Sequence, residues 1–131
     1  ELPEFIRRKQ RNFELYKKLF GSFELGRLME FRPGTFCNKW FYSMIIDRTK
    51  ISAGMREIIT ELEKRNIQVR TVWGLINEQM PYLRETTYQL EKAPYYAARI
   101  LNLPSSTSIT EEDIAYVVQQ TKEVLELCVN E

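Results

Sequence analysis

Arg70 and Trp73 are the side chains in this sequence whose types and spacing suit ligand binding. Arg70 closes a strand candidate, Ile67 to Thr71, and Trp73 follows almost at once. An indole beside an arginine can stack on a flat ring while the guanidinium takes a carboxylate or phosphate. Spacing alone favours the plainer reading, a core tryptophan next to an arginine in a surface ion pair. Other chemistry is thin. The sequence has no His, so Ser-His and Cys-His couples are absent and the commonest zinc ligand is missing. Glu111, Glu112 and Asp113 are adjacent, but they stand where a helix N-terminus is expected and there complement its dipole. Neither a G-x-x-x-x-G-K-[ST] nor a G-x-G-x-x-G phosphate cradle occurs. No residue of the chain is assigned a catalytic or metal-binding role.

The elements that must position Arg70 and Trp73 can be read from periodicity. Residues Pro3 to Phe20 predict a helix, with Ile6, Phe13, Tyr16 and Phe20 on one face and Gly21 ending it. Leu28 to Phe31 reads as a short strand before the turn Arg32-Pro33-Gly34-Thr35. Lys39 to Ile46 is the strongest strand signal. Trp40, Tyr42, Met44 and Ile46 alternate with Phe41, Ser43 and Ile45, and both sets are mostly apolar. That pattern predicts a central strand covered on both faces. Ser52 is the expected cap of a helix with Met55, Ile58, Ile59 and Leu62 inward, and Asn66 the left-handed residue after it. Ile67 to Thr71 is a third strand, and Trp73 to Thr87 a loop with at most a short helical turn. A helix from Pro94 to about Ile100 and a brief extended piece, Leu101 to Leu103, precede a last helix. Thr110 caps that helix with Asp113, and Ile114, Val117, Val118, Thr121, Leu125 and Cys128 form its core face. Cys128 then reads as a small buried hydrophobe. The fold class is α+β: a small, mostly antiparallel sheet of about three strands covered by helices, in one domain over 1–131.

Composition narrows the partners. Hydrophobic residues make up 44% of 131, enough for one core. The net charge of +1 offers no broad field for nucleic acid or an anionic membrane. The basic run Arg7, Arg8, Lys9, Arg11 reads as a solvated helix face. The aromatic run around Trp40 lacks the basic-Gly-aromatic motif of RNA-binding sheets. Two distant cysteines and no long apolar stretch point to a reducing cytoplasm.

Several segments resemble the DegT/DnrJ/EryC1/StrS aminotransferases. Arg65-Asn66-Ile67-Gln68-Val69-Arg70-Thr71-Val72-Trp73 is similar to that family's G-I-Q-T-R-P-x-W stretch, and Gln79-Met80-Pro81-Tyr82 to its P-x-Y. Asn38-Lys39-Trp40-Phe41-Tyr42 resembles N-x-W-x-Y. Leu101-Asn102-Leu103-Pro104-Ser105-Ser106, then Ile109 to Ile114, resembles L-N-L-P-x-S followed by L-T-E-E-D-I. Leu2 to Lys9 is similar to the helix that follows the family's last large-domain segment. The motifs run in order through nearly the whole chain. They look most like members making UDP-4-amino-4,6-dideoxy sugars for bacillosamine or legionaminic acid. Asn66 and Thr71 stand where members often have Gly and Pro, and Asn77 where many have His.

The resemblance implies the C-terminal small domain of a fold type I, pyridoxal-phosphate sugar aminotransferase. The large domain, with the cofactor lysine, is expected outside this chain, which is then inactive alone. The parent is expected to be a cytoplasmic homodimer that moves an amino group, from glutamate, to a 4-keto nucleotide sugar in polysaccharide biosynthesis. Arg70, Trp73, Asn77, Asn38 and Ser105 are the expected substrate- or cofactor-facing residues. Separation from a large domain leaves apolar surface, so contacts between copies are expected to cover part of Phe5, Phe13, Trp73 or Tyr82. A different class of reading, a stand-alone binding or assembly module, stays open.

Overall fold

The computed structural model describes residues 1–129. Helix α1 (Leu2–Phe20) leads into β1 (Gly26–Leu28) and β2 (Tyr42–Ile46), followed by α2 (Met55–Lys64) and β3 (Arg70–Thr71). Two single 3-10 turns, Ile76–Glu78 and Met80–Tyr82, precede α3 (Lys92–Ala97), β4 (Ile100–Leu103) and α4 (Glu111–Leu127). The strands form one antiparallel sheet in the order β1-β2-β4-β3. This is the α+β class expected, with one strand more. The extended piece at Leu101 pairs along β2, from Tyr42 opposite Leu103 to Ile45 opposite Ile100, and thereby becomes a central strand. Taking Ile100 into the sheet is also why α3 stops at Ala97 rather than at Ile100.

One face of the sheet carries the core. Tyr42, Met44 and Ile46 of β2 are fully buried there, with Leu101 and Leu103 of β4 beside them. Helix α1 lays Phe13, Tyr16 and Phe20 onto that face. The Phe13 and Tyr16 rings meet Tyr42 at centroid distances of 6.0 and 5.3 Å. Each such side chain contributes about 2 kcal/mol by leaving water. Phe13 is only 3% exposed, so it belongs to this core and not to an interface between copies. Helix α4 packs against both α1 and α2 through Ile114, Val117, Val118, Val124 and Leu125.

The opposite face is only partly covered. Ser43 and Ile45 are half-buried, so β2 is central in the sheet but sealed on one side alone. Its start also differs from expectation. Trp40 lies outside the strand and is 63% exposed. Lys39 adopts φ +54°, and the Asn38 side chain accepts the Trp40 peptide N–H at 3.1 Å, so the chain turns there instead of extending. At the first edge, β1 begins at Gly26 and not Leu28, because Gly26 to Leu28 is the stretch that pairs with Ile46 to Met44.

Caps explain the helix ends. Gly21 closes α1 at φ +53°. Helix α2 starts two residues later than Ser52 predicts. Glu57 reaches back to the Gly54 N–H at 2.6 Å, whereas Ser52 bonds the Cys128 carbonyl. Asn66 adopts φ +59°, the left-handed turn expected of it. Thr110 and Asp113 form a reciprocal box at the start of α4. Cys128 is half-buried against the core, and burial raises its thiol pKa.

Candidate functional site

The short edge strand β3 sets the direction of the residues around it. Ile67 and Val69 turn into the core, while Gln68 and Arg70 face outward. Arg70 stands opposite Asn102 of β4, and the chain leaves the sheet after Thr71. Trp73 therefore sits just beyond the sheet edge, where it is 71% exposed. It is not a core tryptophan. Its ring meets the Phe41 edge at 5.4 Å and 75°, and Phe41 stacks on Trp40 at 5.0 Å and 19°. These three rings form an aromatic wall.

The wall borders an open groove of about 660 Å³, whose lining includes Phe41, Glu63, Arg70, Trp73 and Asn102. Among the described residues, the Arg70 guanidinium has no hydrogen bond or ion pair. Asn102 is only 7% exposed, and its amide is occupied at both ends. Ser43 Oγ donates to Asn102 Oδ1 at 2.6 Å, and Asn102 Nδ2 donates to the Thr71 carbonyl at 3.4 Å. This bridge ties the floor of the groove to the strand that carries Arg70. The arrangement suits a flat or sugar-like group against the rings with an anionic group at Arg70.

The remaining expected residues are placed elsewhere. Asn77 is half-buried in the first 3-10 turn and lines a separate concavity of about 480 Å³ with Leu75, Tyr82 and Tyr88. Asn38 holds the Trp40 N–H, as above. Ser105 Oγ donates to the Trp40 carbonyl at 2.9 Å. Asn38 and Ser105 thus bind scaffold backbone, and the structure brings only Arg70 and Trp73 into one groove. Three contributors were not singled out from the sequence. Phe41 lay within the aromatic run, and Asn102 showed itself as a lone polar residue between two leucines. Lys9 carried no signal beyond the basic run. Its Nζ donates to the Trp40 carbonyl at 2.9 Å and to the Ser105 carbonyl, and burial lowers its pKa.

On their own these residues do not fit pyridoxal phosphate. No lysine lines the groove. Lys9 is engaged by two carbonyls, and Lys17, Lys50 and Lys64 pair with Glu30, Glu24 and Glu61. The first turns of α2 and α4, the places where backbone N–H groups take a phosphate, hold the chain's own Glu57 and Asp113. What the chain offers is an open groove bordered by aromatic rings and Arg70. Among the described residues no group of three His, Cys, Asp or Glu side chains can hold a metal ion, and no helix is long and apolar enough to cross a membrane.

The fold recurs in solved sugar aminotransferases. TlmJ from Streptoalloteichus hindustanus superposes with a TM-score of 0.83 at 20% identity, covering 96% of this chain and 33% of that one. PseC from Helicobacter pylori, an aminotransferase of pseudoaminic acid biosynthesis, gives 0.86 at 14% identity over 95% of this chain and 34% of its own. DesI, solved in the presence of its TDP-sugar product, gives 0.85 at 22% identity, with 92% and 31% covered. The chain therefore spans about a third of the length of the structures it is similar to. No curated protein matches it in sequence. Residues 1–122 match the sequence profile described as the DegT/DnrJ/EryC1/StrS aminotransferase family. A match over that much of 131 residues, on a fold shared with these enzymes, means that the chain belongs to the DegT/DnrJ/EryC1/StrS aminotransferase family.

Proposed function

We propose that this chain is the C-terminal small domain of a pyridoxal-phosphate sugar aminotransferase and supplies one wall of its active site. The observation that carries the reading is the exposed Trp73–Phe41 wall beside an unpaired Arg70, on a chain with about a third of an aminotransferase's length. An indole left 71% exposed and a guanidinium without a partner suit a surface completed by something else. Residues outside these 131 hold the cofactor and its lysine, consistent with the poor fit above. A structural neighbour, Spr1654 from Streptococcus pneumoniae, has been solved in PMP and PLP forms, which supports the cofactor assignment.

The acceptor in this reading is a 4-keto nucleotide sugar, as in UDP-4-amino-4,6-dideoxy-sugar formation, and the donor is glutamate. Arg70 binds an anionic group, either the donor carboxylate or a substrate phosphate, and Trp73 packs on a ring or sugar face. The working enzyme is a homodimer in the cytoplasm. Asn77, in place of the family's common histidine, donates and accepts hydrogen bonds without titrating.

Two measurements test this. In the enzyme that carries the chain, Arg70→Ala is expected to lower kcat/KM on the order of 100-fold, the scale of a lost charge-assisted contact. Unchanged kinetics for both Arg70→Ala and Trp73→Ala would remove the groove from the active site. The 131-residue chain alone, mixed with pyridoxal phosphate and reduced with borohydride, is expected to trap none of it stoichiometrically. One equivalent trapped at a single lysine would overturn the placement of the cofactor lysine.

A further inference from the structure

We infer that Lys9 is a positioning residue for the aromatic wall: its ammonium and the Ser105 hydroxyl stand in for the backbone rung that Trp40 and Ser105 do not make, and so hold Trp40 in place. The register of the sheet is the starting point. Strand β2 pairs antiparallel with β4, and Tyr42 lies opposite Leu103. Continuing that register puts Phe41 opposite Pro104 and Trp40 opposite Ser105. Ile46 N–H donates to the Arg99 carbonyl, so by the alternation of an antiparallel pair the next β2–β4 rung falls at Trp40 and Ser105; there the Trp40 N–H goes to Asn38 instead, and neither backbone bond of that rung is made. The two chains nevertheless stay together at Trp40 and Ser105. Lys9 Nζ donates to both of their carbonyls, and Ser105 Oγ donates to the Trp40 carbonyl as well.

The other contacts of Lys9 fit a fixed clasp. Among the described residues it has no carboxylate partner, and the Tyr42 ring lies 5.6 Å from its Nζ. The Tyr42 hydroxyl donates to the Lys9 carbonyl at 2.9 Å, and the Tyr16 hydroxyl donates to the Pro104 carbonyl at 3.1 Å. Helix α1 is therefore pinned at the same gap by two buried tyrosines. A half-buried ammonium without a counter-charge is costly unless its donors are satisfied, and here backbone carbonyls satisfy them. Trp40 in turn is gripped through its peptide group on both sides, by Asn38 at N–H and by Lys9 and Ser105 at C=O. Its indole stays in solvent, yet it is fixed against Phe41 and through Phe41 against Trp73.

This inference rests on the pocket reading only in treating those rings as a wall. Its test uses neither cofactor nor substrate, so either idea can fail without the other. The chain has two tryptophans, and Trp73→Phe leaves Trp40 as the sole emitter. In that background, time-resolved fluorescence anisotropy reports whether the Trp40 indole moves separately from the molecule. Lys9→Met is expected to raise the fast, subnanosecond part of the depolarisation about twofold, the range of freed side-chain and loop motion. Ser105→Ala is expected to raise it less. A lysine that merely docks α1 would lower the unfolding midpoint and leave the anisotropy of the folded protein unchanged; that result overturns the inference. If Lys9→Met does not fold, Ser105→Ala decides, and an unchanged fast component there overturns the inference equally.

Discussion

Asn102 shows what one buried amide does for the candidate site. It links Ser43 in β2 to the Thr71 carbonyl at the end of β3, with the two chains approaching it from opposite sides. Asn102→Ala leaves the Ser43 hydroxyl and the Thr71 carbonyl without this partner in a mostly covered place. Unsatisfied groups of that kind cost about 1–3 kcal/mol, and the loss is expected in the urea unfolding free energy. Asn102→Asp should not rescue it, since a carboxylate there loses the donor to Thr71. Stability unchanged in Asn102→Ala would mean that the bridge adds nothing to the site's rigidity. Asn102 lies between two leucines in the sequence, but its partners come from residues 59 and 31 positions away and were not legible. Arg70 and Trp73 stood out by their types and spacing, but the edge position of β3 that leaves both exposed was not legible, and spacing alone favoured a core tryptophan. Asn38 and Ser105, expected to face substrate or cofactor, both hold the backbone of Trp40.

At the level of elements, local chemistry fixed more than periodicity did. The left-handed Asn66, the Gly21 stop and the Thr110 box appear where their residue types predict them. Strand bounds at β1 and β2 shifted because they depend on the pairing partner, which no single segment reveals. The α4 cap allows a sharp expectation. Thr110 Oγ1 accepts the Asp113 N–H at 3.1 Å, while the Asp113 carboxylate accepts from the Thr110 hydroxyl and N–H at 2.7 and 3.0 Å. Thr110→Ala is expected to cost about 1 kcal/mol, as for other N-cap truncations, measured by thermal unfolding at neutral pH. The same bonds to Thr110 hold the Asp113 pKa below its ordinary value near 3.8. The sign follows directly. The ionised form is favoured in the folded protein, so the box's contribution is complete above the ordinary value and disappears as pH falls through the lowered one. Thr110→Ala should therefore lose less stability, relative to the parent chain, once the pH has fallen through the lowered Asp113 value than at neutrality. A difference independent of pH would show that the carboxylate is not part of the cap.

For the molecule as a whole, the sheet face carrying Tyr42, Met44 and Leu101 is fully buried, while the opposite face is only partly covered. Ile76, Met80, Leu83 and Tyr88 are all exposed on the 3-10 segment, near the exposed Trp73 and Tyr82. That segment has no helix or strand long enough to bury an apolar stripe of its own, and the net charge of +1 supplies little repulsion between copies. Apolar surface in these amounts on a small protein favours association. The chain is therefore expected to self-associate, with a weight-average sedimentation coefficient that rises across roughly 1–100 µM. Met80→Glu combined with Leu83→Glu should return it to a monomer. Because both side chains lie in solvent, the double variant should unfold within about 0.5 kcal/mol of the parent, as surface substitutions do. Phe13 has no place in this contact, being part of the α1 core, whereas Phe5, Trp73 and Tyr82 remain available to it. A monomer at every concentration, with the parent sequence folded, would mean that this face is not sticky enough to require a covering partner. It would leave the Arg70–Trp73 groove to be explained by a ligand alone.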